Sequence, residues 1–249
     1  MTKEYILEGK LSIEAAIKGK SRRISRVYID KGKKGRDIKS FESMINKTGI
    51  KIKKVDRHLI DEMTQGKTHG GIIAKAGDKR FVSLEELIKD KKNPFIVMLD
   101  GIEDPYNFGY AVRSLYLAGV DGVVVNPRNW MEATSVVAKA SAGTTELMPM
   151  AVANDIEEAS NFFKDKGMTL ACTSNRNSIS LYEADLNVPM FLLIGGEKRG
   201  ITRSFLEKAD TIIQIPYGRN HGISLAATSA TSVIAFEMMR QKNITKSNI

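Results

Sequence analysis

The segment Leu99–Arg113 reads Leu-Asp-Gly-Ile-Glu-Asp-Pro-Tyr-Asn-Phe-Gly-Tyr-Ala-Val-Arg. An apolar run ends, an Asp/Gly/Pro turn follows, and a helix is expected from Asn107 to Ala118, stopped by Gly119. Asn107 and Arg113 lie six positions apart, nearly two turns, so both can project toward one side of that helix. An arginine so placed can clamp a phosphate or a developing oxyanion. The same spacing also suits an ordinary helix start with a solvated arginine. A second cluster, Leu192-Leu-Ile-Gly-Gly-Glu-Lys-Arg-Gly200, carries a buried run into Gly195-Gly196. There a ligand can approach backbone amides with no Cβ in the way, and Glu197 stands at the edge. A third, Ile213-Gln-Ile-Pro-Tyr-Gly-Arg-Asn-His-Gly-Ile-Ser-Leu225, leads into a helix rich in Ala, Ser and Thr.

These clusters need a frame, and the hydrophobic pattern supplies one. Apolar runs at Phe95–Leu99, Gly122–Asn126, Met168–Thr173, Met190–Ile194 and Thr211–Ile215 read as strands, with Leu147–Val152 a further apolar stretch between them. Between and after them, Asn107–Ala118, Met131–Ala142, Ile156–Lys166 and Ser224–Arg240 read as helices. Continuous apolar strands alternating with helices imply an α/β domain whose parallel sheet is covered on both faces. Ligands in such sheets sit beyond the carboxyl ends of the strands, so the loops to watch are Asp100–Arg113, Thr173–Asn177, Gly195–Gly200 and Pro216–Ser224.

The first part of the chain predicts a smaller α/β module over residues 1–76. Its expected elements are a helix at Ser12–Ile17, a strand at Arg26–Asp30, a helix at Asp37–Lys47, a strand at Ile50–Val55, a short helix at His58–Met63 and a strand at Gly71–Lys75. Residues 77–94 read as the connection, with one helical stretch, Ser83–Asp90, whose Ser83 and Glu86 form a capping box. Residues 95–249 make the second domain.

Charge separates the two parts further. The chain carries a net charge of +9. Residues 1–60 hold 17 Lys/Arg against 7 Asp/Glu, while residues 61–249 hold 21 against 22. Clusters such as Lys18, Lys20, Arg22, Arg23 and Arg26, or Lys31, Lys33, Lys34 and Arg36, suit a phosphate backbone, although any one cluster also suits a solvated surface. No apolar run approaches the ~18 residues of a membrane span, and the N-terminus lacks a signal-peptide core, so an intracellular, cytoplasmic protein is expected. The one cysteine, Cys172, excludes an internal disulfide framework and a Cys-rich zinc site. His58, His69 and His221 share no metal-ligand spacing, so no metal is expected. A Rossmann-type dinucleotide site is disfavoured as well, because the turn after Leu99 offers one glycine where that site needs several.

The three clusters, in this order over about residues 95–241, resemble the signatures of the SpoU/TrmH family of RNA methyltransferases. Asp104, Pro105, Asn107, Gly109 and Arg113 match the first. The run Gly-x-Glu-x-x-Gly at Gly195–Gly200 is similar to the second. Ile215, Pro216, Ser224 and Leu225 agree with the third, but Ala226 stands where that family has asparagine, leaving Asn220, His221 or Thr228 to replace its amide. Gly9, Ile24–Ile29 and Thr68–Ala74 resemble the ribosomal-protein-L7Ae-like recognition domain that precedes many members, with His69 as a turn-stabilising residue.

The resemblance implies a parallel-sheet domain closed by a deep trefoil knot, of the SPOUT type, behind a small L7Ae-like domain. It implies S-adenosyl-L-methionine as cofactor, held at Gly195, Ile215, Leu225 and Thr173, and methyl transfer to a ribose 2′-hydroxyl. Arg113 would stabilise the developing alkoxide, Asn107 and Glu197 would orient it and shape the pocket, and Ser224 would contact cofactor or ribose. A homodimer acting on RNA is implied, with 23S ribosomal RNA favoured over transfer RNA. Two other classes remain open: a non-catalytic RNA-binding or ribosome-assembly protein, which Ala226 favours, and an unrelated nucleotide-dependent enzyme on an open sheet.

Overall fold

A computed structural model of the chain describes residues 3–64, 68–127, 134–196, 200–219 and 222–247. In chain order its elements are β1 (Tyr5–Glu8), α1 (Lys10–Gly19), β2 (Ile24–Asp30), α2 (Arg36–Asn46), β3 (Lys51–Val55), α3 (Arg57–Glu62), β4 (Ile72–Ala76), α4 (Leu84–Ile88), β5 (Phe95–Asp100), α5 (Pro105–Leu117) and β6 (Gly122–Val125). There follow α6 (Thr134–Ala140), α7 (Thr144–Leu147), β7 (Met150–Val152), α8 (Ile156–Asp165), β8 (Thr169–Thr173), β9 (Ile179–Ser180), β10 (Met190–Gly195), α9 (Arg203–Lys208), β11 (Thr211–Gln214) and α10 (Ala227–Ser247). The chain divides into two compact units, Met1–Arg80 with Glu132–Leu147, and Phe81–Met131 with Met148–Ile249.

The first unit is a four-stranded sheet in the order β1-β4-β2-β3, antiparallel except for the parallel pair β2–β3. One face is packed by α1 and α2 through Ile13, Ala16, Ile38, Phe41 and Ile45. The other is packed by α3 through Ile60 against Val55 and Ile73. A segment from the later half of the sequence completes this unit. Ala138 of α6 joins the core, and α7 lies so close to α1 that a Cβ on Gly19 would stand 2.2 Å from the Glu146 carbonyl oxygen. Side chains lock the contact. Glu146 takes the Arg22 Nε–H at 3.1 Å and the Ser21 hydroxyl at 2.5 Å, while an Arg22 terminal N–H donates to the Gly77 carbonyl at 3.0 Å. The Arg22 and Glu146 side chains are only 5% and 2% exposed. Lys79 donates to the Thr145 carbonyl at 2.6 Å, and burial pushes its ammonium below the usual lysine range.

The second unit is a seven-stranded, wholly parallel sheet in the order β7-β6-β5-β10-β8-β11-β9. Alternation along the strands assigns the faces. Ile96 and Met98 of β5, with Phe191 and Leu193 of β10, belong to a core shared with Leu87 of α4, Phe163 of α8 and Phe205 of α9. Phe163 and Phe191 stack with ring centroids 4.7 Å apart. The opposite residues, Val97, Leu99, Leu192 and Ile194, are buried too, on the face taken by α5 and α10, which pack on one another. Among the described residues no helix is long and apolar enough to cross a membrane.

The anticipated helices and strands are present, with shifted ends, where they fall on described residues. The expected helix Met131–Ala142 is described only from Thr134 and stops at Ala140; the final helix begins at Ala227 rather than Ser224 and runs to Ser247. Elements β1, α7, β9 and α9 have no counterpart in the sequence reading, and each is six residues or shorter. The capping box at Ser83 and Glu86 is formed. The stretch around it is more than a connection, because Val82 bridges to Ala151 and Leu87 is fully buried.

Candidate active site at the carboxyl ends of the central strands

The four loops singled out in sequence follow β5, β10, β8 and β11, which are four consecutive neighbours in the sheet. Strand order also reverses here. The chain leaves β5 toward β6 and β7, and β10 later occupies the position on the other side of β5. The carboxyl end of such a switch point is the crevice an open α/β sheet offers a ligand.

At that crevice the ends of β5 and β10 touch through backbone. Asp100 pairs with Gly195, and the following glycines meet face to face. A Cβ on Gly196 would lie 2.2 Å from the Gly101 carbonyl oxygen, and Gly101 has φ +75°. A Cβ on Gly195 would lie 2.9 Å from Ile201 and 3.0 Å from Gly200. Side chains are thus excluded at the bottom of the crevice, which leaves backbone groups to face a ligand.

The helix that follows β5 is started by the motif itself. Asp104 is the N-cap of α5, its Oδ1 accepting the Asn107 backbone N–H at 2.8 Å, and Pro105 occupies the first helical position. Asp104 and Pro105 therefore act on structure, fixing Asn107 in the first turn. The Asn107 side chain lines a cavity of about 130 Å³ with the Gly101–Asp104 loop and with Ala227 and Thr228 at the start of α10.

Arg113 is elsewhere. Six positions rotate a helix by roughly 600°, which leaves Asn107 and Arg113 about 120° apart. Arg113 is exposed and does not line the cavity. It shares its stripe of α5 with Tyr106, Tyr110 and Leu117, which are 54%, 49% and 59% exposed. The structure unites Asn107 with α10 and not, within one chain, with Arg113.

Gly195, Thr173 and Ile215 lie at the ends of β10, β8 and β11 and are half-buried. Ser224 and Leu225 are exposed just before α10. The Leu225 backbone N–H donates to the Tyr217 hydroxyl at 3.0 Å, so its carbonyl and side chain are what it can offer. Glu197, Asn220 and His221 lie outside the described residues. Ala226 is exposed, and its carbonyl accepts the Ala230 N–H at 3.0 Å, the first hydrogen bond of α10. The position of the family asparagine is thus a helix N-cap. Thr228, the described one of the three candidates to replace that amide, lines the same cavity as Asn107.

Some expected groups are structural. His69 is fully buried, accepts the Gly71 N–H on Nδ1 at 3.1 Å and meets Asp61 Oδ1 through Nε2 at 2.8 Å, holding the turn before β4. Burial pushes the Cys172 thiol up to about 11, which leaves it inert. A larger cavity, about 270 Å³, lies between α8 and α9 with Asn126, Asp155 and Glu157 on its wall, and Lys208 there is paired to Glu157 at 2.6 Å. None of the anticipated residues lines it.

The fold is a two-unit α/β protein with a candidate ligand crevice at the switch point of a parallel sheet. The model of the SpoU rRNA methylase family matches residues 94–236, and that of the RNA 2′-O ribose methyltransferase substrate-binding domain matches residues 6–82. The chain belongs to the SpoU rRNA methylase family. It is 29% identical to the 23S rRNA (guanosine-2′-O-)-methyltransferase RlmB of Shewanella oneidensis, over 97% of this chain and 99% of the relative. It is also 29% identical to the putative TrmH family tRNA/rRNA methyltransferase YacO of Bacillus subtilis, over 96% of each. Among solved structures, the SpoU methyltransferase AviRb of Streptomyces viridochromogenes, in complex with AdoMet, superposes with a TM-score of 0.80 at 18% identity, covering 96% of this chain and 91% of that one.

Proposed function

We propose that this chain transfers a methyl group from S-adenosylmethionine to a ribose 2′-hydroxyl of 23S ribosomal RNA. The observation that carries the reading is the crevice where Gly101 and Gly196 meet, with Asn107 held beside it by its own motif. The residues present fit the cofactor in that Gly195 and Gly196 carry backbone groups with no side chain over them at the strand end. Gly195, Ile215, Leu225 and Thr173 would hold it. When bound, S-adenosylmethionine supplies a methyl carbon activated by its sulfonium, so that a neutral thioether leaves as the new C–O bond forms.

The remaining task falls on the chain itself: to place a 2′-hydroxyl in line and to manage its proton. A guanidinium with a pKa above about 12 is a poor general base. Arg113 therefore stabilises the developing alkoxide, while an RNA phosphate or water takes the proton. Asn107 positions the ribose, and Ser224 and Glu197 complete the pocket. Arg113 reaches the crevice from a second subunit in this reading, since its own helix turns it toward the exposed Tyr106–Tyr110–Leu117 stripe. That stripe, with Phe236 of α10 also 44% exposed, is the face a homodimer would cover. The deep trefoil knot implied by the resemblance is part of the same proposal.

The first unit would grip the RNA. Arg26 and Lys51 are register partners on β2 and β3, as are Tyr28 and Lys53, so these four share one sheet face. Arg26, Lys51 and Lys53 are exposed without an acidic partner among the described residues. Arg22 is withdrawn from the basic set by its buried pairing with Glu146. A protein that works on ribosomal RNA belongs in the cytoplasm.

The test is transfer of labelled methyl to total RNA from cells lacking this gene, followed by mass spectrometry of the nucleosides. A new 2′-O-methylnucleoside in 23S RNA is expected. Label confined to transfer RNA would move the substrate, as the name of the Bacillus subtilis relative allows. No incorporation, with no cofactor binding by calorimetry, would favour a non-catalytic RNA-binding paralogue, the reading that Ala226 supports.

A further inference from the structure

Within the cavity beside the crevice, two polar side chains from different helices have no hydrogen-bond partner among the described residues: the Asn107 amide and the Thr228 hydroxyl. Asn107 is exposed and Thr228 half-buried, so both groups are open to whatever enters the cavity. Two later hydroxyls of α10 behave differently. Thr231 donates to the Ala227 carbonyl at 2.7 Å, and Ser232 is engaged with the Thr228 carbonyl at 3.0 Å and with Ser114 Oγ of α5 at 2.7 Å. The bonds to the Ala227 and Thr228 carbonyls reach back one helical turn. Thr228 is the second residue of α10, where no preceding helical turn exists to receive its hydroxyl. Its side chain stands on the wall of the cavity.

The wall of the cavity constrains what the hydroxyl meets. Glu103 and Asp104 contribute carboxylates there, beside the neutral Asn107 and Thr228. Such a lining repels an anion and accepts hydroxyl groups, so it suits the sugar of a nucleotide and not its phosphate. At position 226 the methyl group of alanine makes no hydrogen bond.

We propose that Thr228 is a ribose-positioning residue in this chain, its hydroxyl hydrogen-bonding the sugar of the target nucleotide opposite Asn107. This rests on the methyl-transfer reading above and adds to it the group that does the work an amide at position 226 cannot do here. The bond fixes the sugar while its 2′-oxygen is alkylated; Thr228 itself takes no proton.

Single-turnover methyl transfer into the unmodified total RNA, with Thr228→Val and Thr228→Ser, tests this. The valine variant keeps the shape and loses the hydroxyl, so its rate at saturating cofactor is expected to fall about 10-fold or more. Its melting temperature and its calorimetric affinity for S-adenosylmethionine should stay at the unsubstituted values. The serine variant restores the hydroxyl and is expected to recover to within about threefold of the unsubstituted rate. Full activity in Thr228→Val would overturn the proposal. So would equal losses in the two variants, which would mark packing, or a loss that tracks weaker cofactor binding. No transfer by the unsubstituted protein would remove the methyl-transfer reading and this proposal with it, whereas transfer indifferent to Thr228→Val removes this proposal alone.

Discussion

The interior of the first unit and the crevice of the second treat polar groups in opposite ways. In the first unit the buried charged groups beside the α1–α7 contact are paired: Arg22 and Ser21 with Glu146, Arg22 with the Gly77 carbonyl, Lys79 with the Thr145 carbonyl. In the second, Asn107 and Thr228 face one cavity unpaired among the described residues. Paired groups hold a structure together, and unpaired groups beside a cavity are available to a ligand. The same residue types thus mean fold in one place and chemistry in the other. Substitutions should divide along that line.

The largest effect is expected from Arg113→Ala. Losing a cation that stabilises charge in the transition state costs about 10²–10³-fold in rate. Melting temperature and cofactor affinity should be unchanged, because Arg113 is exposed and outside the cavity. If Arg113 is delivered across a dimer, mixing Arg113→Ala with an Asn107→Ala protein should recover part of the activity in hybrid dimers. A fully active Arg113→Ala protein would remove it from the site.

Glu146→Ala should do the reverse. Breaking a buried ion pair by removing one partner costs about 3 kcal/mol or more, here because Arg22 is left without its carboxylate. Denaturant unfolding should show the loss, and methyl transfer per folded molecule should hardly change. A fragment of residues 1–80 should be destabilised in the same way, since it lacks Glu146 and Ala138. Equal stability of Glu146→Ala and the unsubstituted protein would deny the contact its structural role.

Reversing charge at the exposed cations of β2 and β3 tests the surface of the first unit rather than its interior. Arg26→Glu, Lys51→Glu and Lys53→Glu together should raise the KM for RNA by about 10-fold or more and flatten its dependence on salt, with kcat retained. An unchanged salt slope would place the RNA on another face.

This division was only partly legible in the sequence. The parallel sheet and the four ligand loops could be read, because buried strands are continuous apolar runs and their loops carry Gly, Asp and Pro. The relation of Asn107 to Arg113 could not be read reliably: spacing suggested one side of a helix, and the true rotation separates them. The membership of α6 and α7 in the first unit was hidden, because Ala138 and Glu146 pack against residues more than a hundred positions away. Arg22 looked like one more surface cation for the same reason. Thr228 drew notice only through the missing amide at position 226, and its orientation followed from where α10 begins, three residues later than the pattern suggested.

The smallest expected effect is the one that best separates structure from chemistry at the crevice. Ala226 caps α10 with its carbonyl alone, whereas Asp104 caps α5 with its side chain as well. Ala226→Asn would give α10 an acceptor for the free N–H groups of Thr228 or Ser229, worth about 1 kcal/mol at an N-cap. In a chain of this size that is a rise of roughly 2–4 °C in Tm. If position 226 is only a cap here, methyl transfer should stay within about twofold of the unsubstituted protein. A large gain in transfer without a gain in Tm would mean that an amide at this position acts on the substrate, and Thr228 would then be a partial substitute for it rather than a sufficient one.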